Sequence, residues 1–211
     1  MGHASIILCT GGPLAVPPRA VRNHVTAPHA TKLADWNVVV TLTEQTLREA
    51  RRTLQRWGRV ARTDFQNVLV MHVSDPKAFL ADFAVAVAEA PGLLNVLSHV
   101  VPAQRSFSFD GAEAFERQAR AVALGWLPDL AGSNFYVRLH RRGFKGVIAT
   151  QPEERFLDEA LLTALAEAGT PGRINFGDPD RVIQIETVDG RAGMSLWTRE
   201  DLRRFPFLGV D

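Results

Sequence analysis

The pattern of apolar and polar positions divides the chain into three stretches. Residues 1–34 contain Gly11, Gly12, Pro13, Pro17, Pro18 and Pro28 without apolar periodicity, which predicts a disordered leader. Beyond it, Trp36-Asn-Val-Val-Val-Thr-Leu42 reads as a strand. Glu44 to Trp57 reads as a helix, with Leu47, Ala50 and Leu54 at helical spacing and Gly58 to stop it. Val60–Thr63 and Val68–Val73 flank Asp64-Phe-Gln-Asn67 as a hairpin. A second helix runs from Asp75-Pro-Lys77 to Ala90 with Phe79, Phe83 and Val87 on one face, and Pro91-Gly92 ends it. A last strand falls within Val96–Pro102. The order βαββαβ predicts a ferredoxin-like domain over residues 35–105.

Residues 106–211 follow a different order. Phe107 and Phe109 lead into Asp110-Gly111, Ala112–Leu124 is helical with Phe115, Ala119 and Val122 apolar, and Trp126–Leu130 is a short second helical piece. The strand Asn134–His140 runs into a basic turn ending at Gly146, and a helix then extends through Ala168. Asp178-Pro-Asp180 precedes two closing strands, Arg181–Glu186 and Arg191–Leu196. The whole is an α+β chain: a ferredoxin-like domain followed by a second, α/β-type domain.

Net charge is +1, with 46% hydrophobic and 22% charged residues, ordinary values for a soluble globular protein. Residues 1–105 hold 11 Lys+Arg against 7 Asp+Glu, and residues 106–211 hold 13 against 16, balances of +4 and −3. Any polyanion site must therefore be a local patch rather than a uniform field. The single Cys9 leaves no internal disulfide and no Cys-based zinc site. No apolar run approaches the roughly 18 residues needed to span a bilayer. No basic stretch precedes Ser5-Ile-Ile-Leu8, so a cytoplasmic protein without a secretory signal is expected.

Two basic constellations stand out. Arg138, His140, Arg141, Arg142 and Lys145 occupy a stretch without an acid between Asp129 and Glu153. Strand alternation places Arg138 and His140 on the face of Tyr136, and the Gly-flanked turn lets Arg141, Arg142 and Lys145 reach outward toward phosphate oxygens. Arg48, Arg52 and Arg56 recur along the first helix as a second stripe. Asp178-Pro-Asp180 reads as a turn rather than a metal site, and Glu186 as a strand-end residue. The six histidines lack metal-ligand spacing, and no P-loop, dinucleotide fingerprint or nucleophile elbow occurs. No catalytic residue, metal or small-molecule cofactor is expected.

Taken in order, Val137-Arg138, Arg141-Arg142-Gly143, the helix start at Glu153-Glu154, Asp178-Pro-Asp180 and Arg191-Ala-Gly193 resemble the THUMP domain, an RNA-binding module of tRNA-modifying enzymes. The resemblance covers about residues 35 to 211, with the THUMP-like part at 106–211. It implies tRNA as partner, a ferredoxin-like domain before the THUMP core, and the basic strand and turn as the RNA contact. The family's enzymes carry an attached catalytic domain. The sequence ending at Asp211 leads to the expectation of a non-catalytic adaptor that presents the tRNA acceptor region to a separate modifying enzyme. The alternatives are the RNA-binding subunit of a split methyltransferase or thiouridine synthase, and a protein-interaction module without RNA binding. If both basic patches track one RNA backbone, the linker around residues 103 to 111 must hold them on the same side.

Overall fold

The computed structural model describes Met1, residues 33–43 and residues 46–210, which form an α+β chain with two sheets. The expected leader falls mostly on residues 2–32, which lie outside the described residues. Leu33 does not belong to a leader. It is buried against Trp36, Val39, Val68 and Val70.

The first sheet comprises β1 (Val38–Leu42), β2 (Arg59–Arg62), β3 (Val68–His72) and β4 (Leu97–Pro102) in the order β2-β3-β1-β4, with every pairing antiparallel. Helices α1 (Leu47–Leu54) and α2 (Pro76–Glu89) complete the βαββαβ order read from the sequence. α2 begins where Asp75 accepts hydrogen bonds from the Lys77 and Ala78 backbone N–H groups, with Pro76 at the first helical position. Alternation then divides β1. Val38 and Val40 join Ala50, Leu54, Phe79 and Phe83 in one core, while Val39 packs on the opposite face with Trp36 and Val188.

The second sheet contains β5 (Arg105–Ser108), β6 (Asn134–His140), β7 (Arg173–Ile174), β8 (Arg181–Val188) and β9 (Arg191–Thr198) in the order β5-β9-β8-β6-β7. β6 runs parallel to both its neighbours, and the remaining pairings are antiparallel. Helices α3 (Ala112–Leu124), α4 (Leu127–Leu130) and α5 (Thr150–Glu167) connect the strands. Phe115 of α3 and Leu157 and Leu161 of α5 share a core with Phe135, Val137 and Leu139, the odd-numbered face of β6.

The two sheets are not beads on a linker. The division expected after residue 105 falls inside β5, which pairs directly with β9, and Ser195 Oγ donates to the Pro102 carbonyl at 2.7 Å. Gly193 permits the approach. A Cβ there would lie 2.7 Å from the Ala103 Cβ and 3.0 Å from the Trp36 ring, and Arg191 Nε donates to the Trp36 carbonyl at 2.8 Å. Helix α6 (Arg199–Arg204), started by a capping box of Thr198 and Asp201, leads into a tail that crosses back to the first sheet. There Phe205, Phe207, Leu208 and Val210 are buried in one core with Phe83 of α2, Val100 of the first sheet, and Tyr136, Val182 and Trp197 of the second.

Phe207 meets Phe83 edge-on, with ring centroids 4.8 Å apart, at the centre of this shared core. Phe207→Ala is therefore expected to cost about 3–5 kcal/mol. Denaturant unfolding of the full chain checks it. A loss below ~1 kcal/mol would mean that the tail is not part of the core.

Candidate nucleic-acid interface

β6 turns one row of side chains to the face opposite Phe135, Val137 and Leu139: Tyr136, buried in the shared core, and the half-buried Arg138 and His140. Parallel pairing sets His140 beside Glu186 of β8. Glu186 is not the strand-end residue the sequence suggests but a buried carboxylate inside β8. Its Oε1 lies 2.6 Å from His140 Nδ1 and accepts from Gln184 Nε2 at 3.2 Å, and its Oε2 accepts from Arg142. Arg142 also donates to Thr41 Oγ1 of β1 at 3.1 Å, and its backbone N–H donates to Thr187 Oγ1 at 3.0 Å. Gln184 extends the network. It accepts from Trp197 Nε1 at 2.8 Å and donates to the Leu208 carbonyl of the tail at 3.1 Å. Burial pushes the Glu186 carboxyl up, but the His140 hydrogen bond and the charges of Arg142 and His140 outweigh it and hold the group below the usual carboxylate range.

This network corrects the reading of the turn. Arg142 does not reach outward. A buried carboxylate without partners would be costly, and Arg142 and His140 supply the compensating charge and hydrogen bonds. The turn itself is docked on the hairpin joining β8 to β9. Gly143 has φ +98°, a Cβ on it would lie 3.1 Å from the Asp189 Cα, and Asp189 N–H donates to the Arg142 carbonyl at 3.0 Å. Phe144 packs on Phe109, with ring centroids 5.0 Å apart. From this base Lys145 is exposed, and Arg141 is half-buried with Nη1 donating to the Gly143 carbonyl.

Arg138 is held loosely. Its Nη1 forms a long ion pair with Glu154 of α5 at 3.9 Å, its guanidinium lies 5.6 Å from the Tyr136 ring centre, and its buried Nε makes no hydrogen bond among the described residues. An open groove lies where the sheets meet. Thr41 and His99 of the first sheet, His140, Arg141 and Arg142 of the second, and Gly209 of the tail line it.

Helix α5 closes the outer edge of β6 beyond the short β7. Glu154 accepts the Leu139 N–H at 2.8 Å, and Asp158, one turn later, accepts the Val137 N–H at 3.1 Å. Asp158 is buried, and burial, with a smaller contribution from Glu154 and Glu159, pushes its carboxyl up to about 7. Sequence reasoning misses both hydrogen bonds. The signal that could reveal them is the i, i+4 pair of acids on the face of α5 that also carries Leu157 and Leu161.

The stripe on α1 stands apart. Arg48, Arg52 and Arg56 are exposed, and Arg56 lies 3.8 Å above the Trp57 ring. α1 packs on the Val40 face of β1, whereas Arg142 meets Thr41, which alternates to the other face. The two basic patches therefore lie on opposite faces of the first sheet, against the expectation of a common side. Asp178-Pro-Asp180 is a structural turn. Asp180 Oδ2 accepts the Asn134 N–H at 2.9 Å, and Arg199 bridges both carboxylates at 3.0–3.1 Å. Among the described residues no group of three or more His, Cys, Asp or Glu side chains is placed to hold a metal ion, and no helix is long and apolar enough to cross a membrane.

No protein-family model matches the chain, and no curated protein does. Among solved structures, PH1313 from Pyrococcus horikoshii Ot3 is similar at 14% identity and a TM-score of 0.49, covering 76% of this chain and 54% of that one. TrmN from Thermus thermophilus is similar at 17% identity and a TM-score of 0.49, covering 76% and 44%. A 4-thiouridine synthetase in complex with RNA and with bound ATP is similar at 11% identity and a TM-score of 0.47, covering 78% and 42%. The chain spans about half the length of the solved structures it matches.

The raised carboxyl of Asp158 makes stability fall with pH. Because its folded value of about 7 exceeds the ordinary 3.8, its contribution is complete below 3.8 and is lost as pH rises through 7. Within that window the slope reaches about 1.4 kcal/mol per pH unit. Asp158→Asn keeps an acceptor for Val137 and is expected to flatten this slope and to be more stable than the parent at pH 8. Chemical denaturation at pH 5 and pH 8 tests this, and parallel pH profiles for the two proteins would refute it.

Proposed function

We propose that this chain is a non-catalytic tRNA-binding adaptor, a ferredoxin-like domain followed by a THUMP-like one, that presents the acceptor region of tRNA to a separate modifying enzyme. The observation that carries this reading is the division of labour among the basic residues of β6 and its turn. His140 and Arg142 are engaged with the buried Glu186 and fix the turn. Arg138, Arg141 and Lys145 then project from a rigid base with donors to spare for phosphate oxygens. Duplex RNA is read mostly through shape, phosphates and 2′-hydroxyls, and a few fixed cations at a sheet edge suit that mode. The sequence resemblance to THUMP domains names tRNA as the RNA. The α1 stripe has a lesser part in this reading, because it faces away from the turn.

The test is a filter-binding titration with total tRNA over a range of salt. Arg138, Arg141 and Lys145 replaced together by Ala should weaken binding without loss of stability, because none anchors the core. The slope of log affinity against log salt should flatten by about 0.7–0.9 for each phosphate no longer neutralised. Replacing Arg48, Arg52 and Arg56 should change both quantities less. Equal losses from the two triple variants would move the interface to include α1, and an unchanged slope in the first would remove it from β6. Nucleoside modification by the protein alone with tRNA and one cofactor would overturn the adaptor reading.

A further inference from the structure

A second groove, with a volume of about 600 Å³, opens where α2, the start of β5 and α6 meet. Its floor is apolar. Leu80 of α2, Trp197 of β9 and Phe205 of the tail reach it from the shared core, and the half-buried Trp126 reaches it from the core of the second sheet. Lys77, Arg105 and Arg204 stand exposed around it, and among the described residues none of the three forms an ion pair. Arg105 donates to the Gln104 carbonyl at 3.1 Å, and the Arg204 guanidinium lies 5.1 Å from the Phe205 ring centre. The two acids that also line the groove are each engaged at a helix start. Asp75 accepts the Lys77 and Ala78 N–H groups, and Asp201 accepts the Thr198 N–H at 2.9 Å. β5 is the outermost strand of the second sheet, so its outer backbone edge has no strand partner among the described residues.

We propose that this groove docks an acidic segment of a partner protein, with a Leu or Phe of that segment set against Trp126 and Trp197 and its carboxylates on Lys77, Arg105 and Arg204. An apolar anchor in a pocket supplies most of the energy of such a contact, and complementary charge around it steers and selects the partner. The free edge of β5 beside the pocket gives the backbone of an extended peptide a place to pair. The chain's own residues 1–34 lack the complementary charge, because they hold Arg19, Arg22 and Lys32 and no Asp or Glu. The groove is also separate from the basic turn. The tail runs from this groove at Phe205 to the groove beside Arg142 at Gly209, and no residue lines both. The inference does not rest on RNA binding; it adds a protein partner held at a different place.

The experiment is fluorescence anisotropy of the full chain with two fluorescein-labelled peptides, Glu-Glu-Leu-Phe-Glu-Glu and Glu-Glu-Ala-Ala-Glu-Glu. The first should bind saturably, and the second about tenfold more weakly or worse. Arg105→Glu combined with Arg204→Glu should weaken the first peptide by about tenfold with an unchanged melting temperature, since both side chains are exposed. Arg138, Arg141 and Lys145 replaced together by Ala should leave peptide binding as it is, so that failure here and failure of the RNA reading are told apart. Equal binding of the two peptides, or no saturable binding of the first, would overturn the docking site. Displacement of the peptide by total tRNA in that triple variant would turn the groove into a nucleic-acid surface and refute the proposal. A parent dimer in sedimentation that the double charge reversal converts to monomer would assign the groove to a second copy of the chain, and the proposal would fail.

Discussion

The buried carboxylate of Glu186 is the group around which the two sheets, the turn and the tail are arranged. It sits inside β8 among apolar neighbours, where an unpaired charge would not be tolerated. Its partners come from three directions: His140 at the end of β6, Arg142 in the turn, and Gln184 on its own strand. Through Arg142 it reaches Thr41 of the first sheet, and through Gln184 it reaches the Leu208 carbonyl of the tail. One charge thus ties a turn, two sheets and the C-terminal segment into one arrangement. Removing one partner of such a group is far more damaging than its net contribution suggests, because the other is left buried and uncompensated.

That arrangement explains why the surface reads as rigid. Phe205, Phe207 and Leu208 knit the first sheet to Tyr136, Val182 and Trp197 of the second, so the seam beside the basic turn is core rather than hinge. A preformed surface loses little conformational freedom on binding, so the proposed reading needs only a few cations to hold a polyanion, despite the overall charge of +1. The acids of the C-terminal half, which outnumber its bases, do not oppose this. Glu186, Asp158, Asp178 and Asp180 are each committed to backbone or cationic partners near the strip.

Periodicity and turn residues make the βαββαβ order, the long helix α5 and the closing strands β8 and β9 legible, because those signals are local. What escapes is set by distance along the chain. Nothing near Arg142 shows that Glu186, forty-four residues later, will be buried beside it; only the β6–β8 register does. The short β5 resembles a linker because four residues carry too little pattern to show that they pair with β9. The tail gives no sign of crossing to the first sheet, since Phe205 and Phe207 are apolar whichever core they join.

The RNA site proposed above lies along β6 and its turn, on the face away from α1. Photocrosslinking of tRNA to the full chain, followed by mapping of the modified peptides, reads that placement without any substitution. Crosslinks are expected within residues 134–145 and none within 47–56. Crosslinks confined to α1 would contradict the placement.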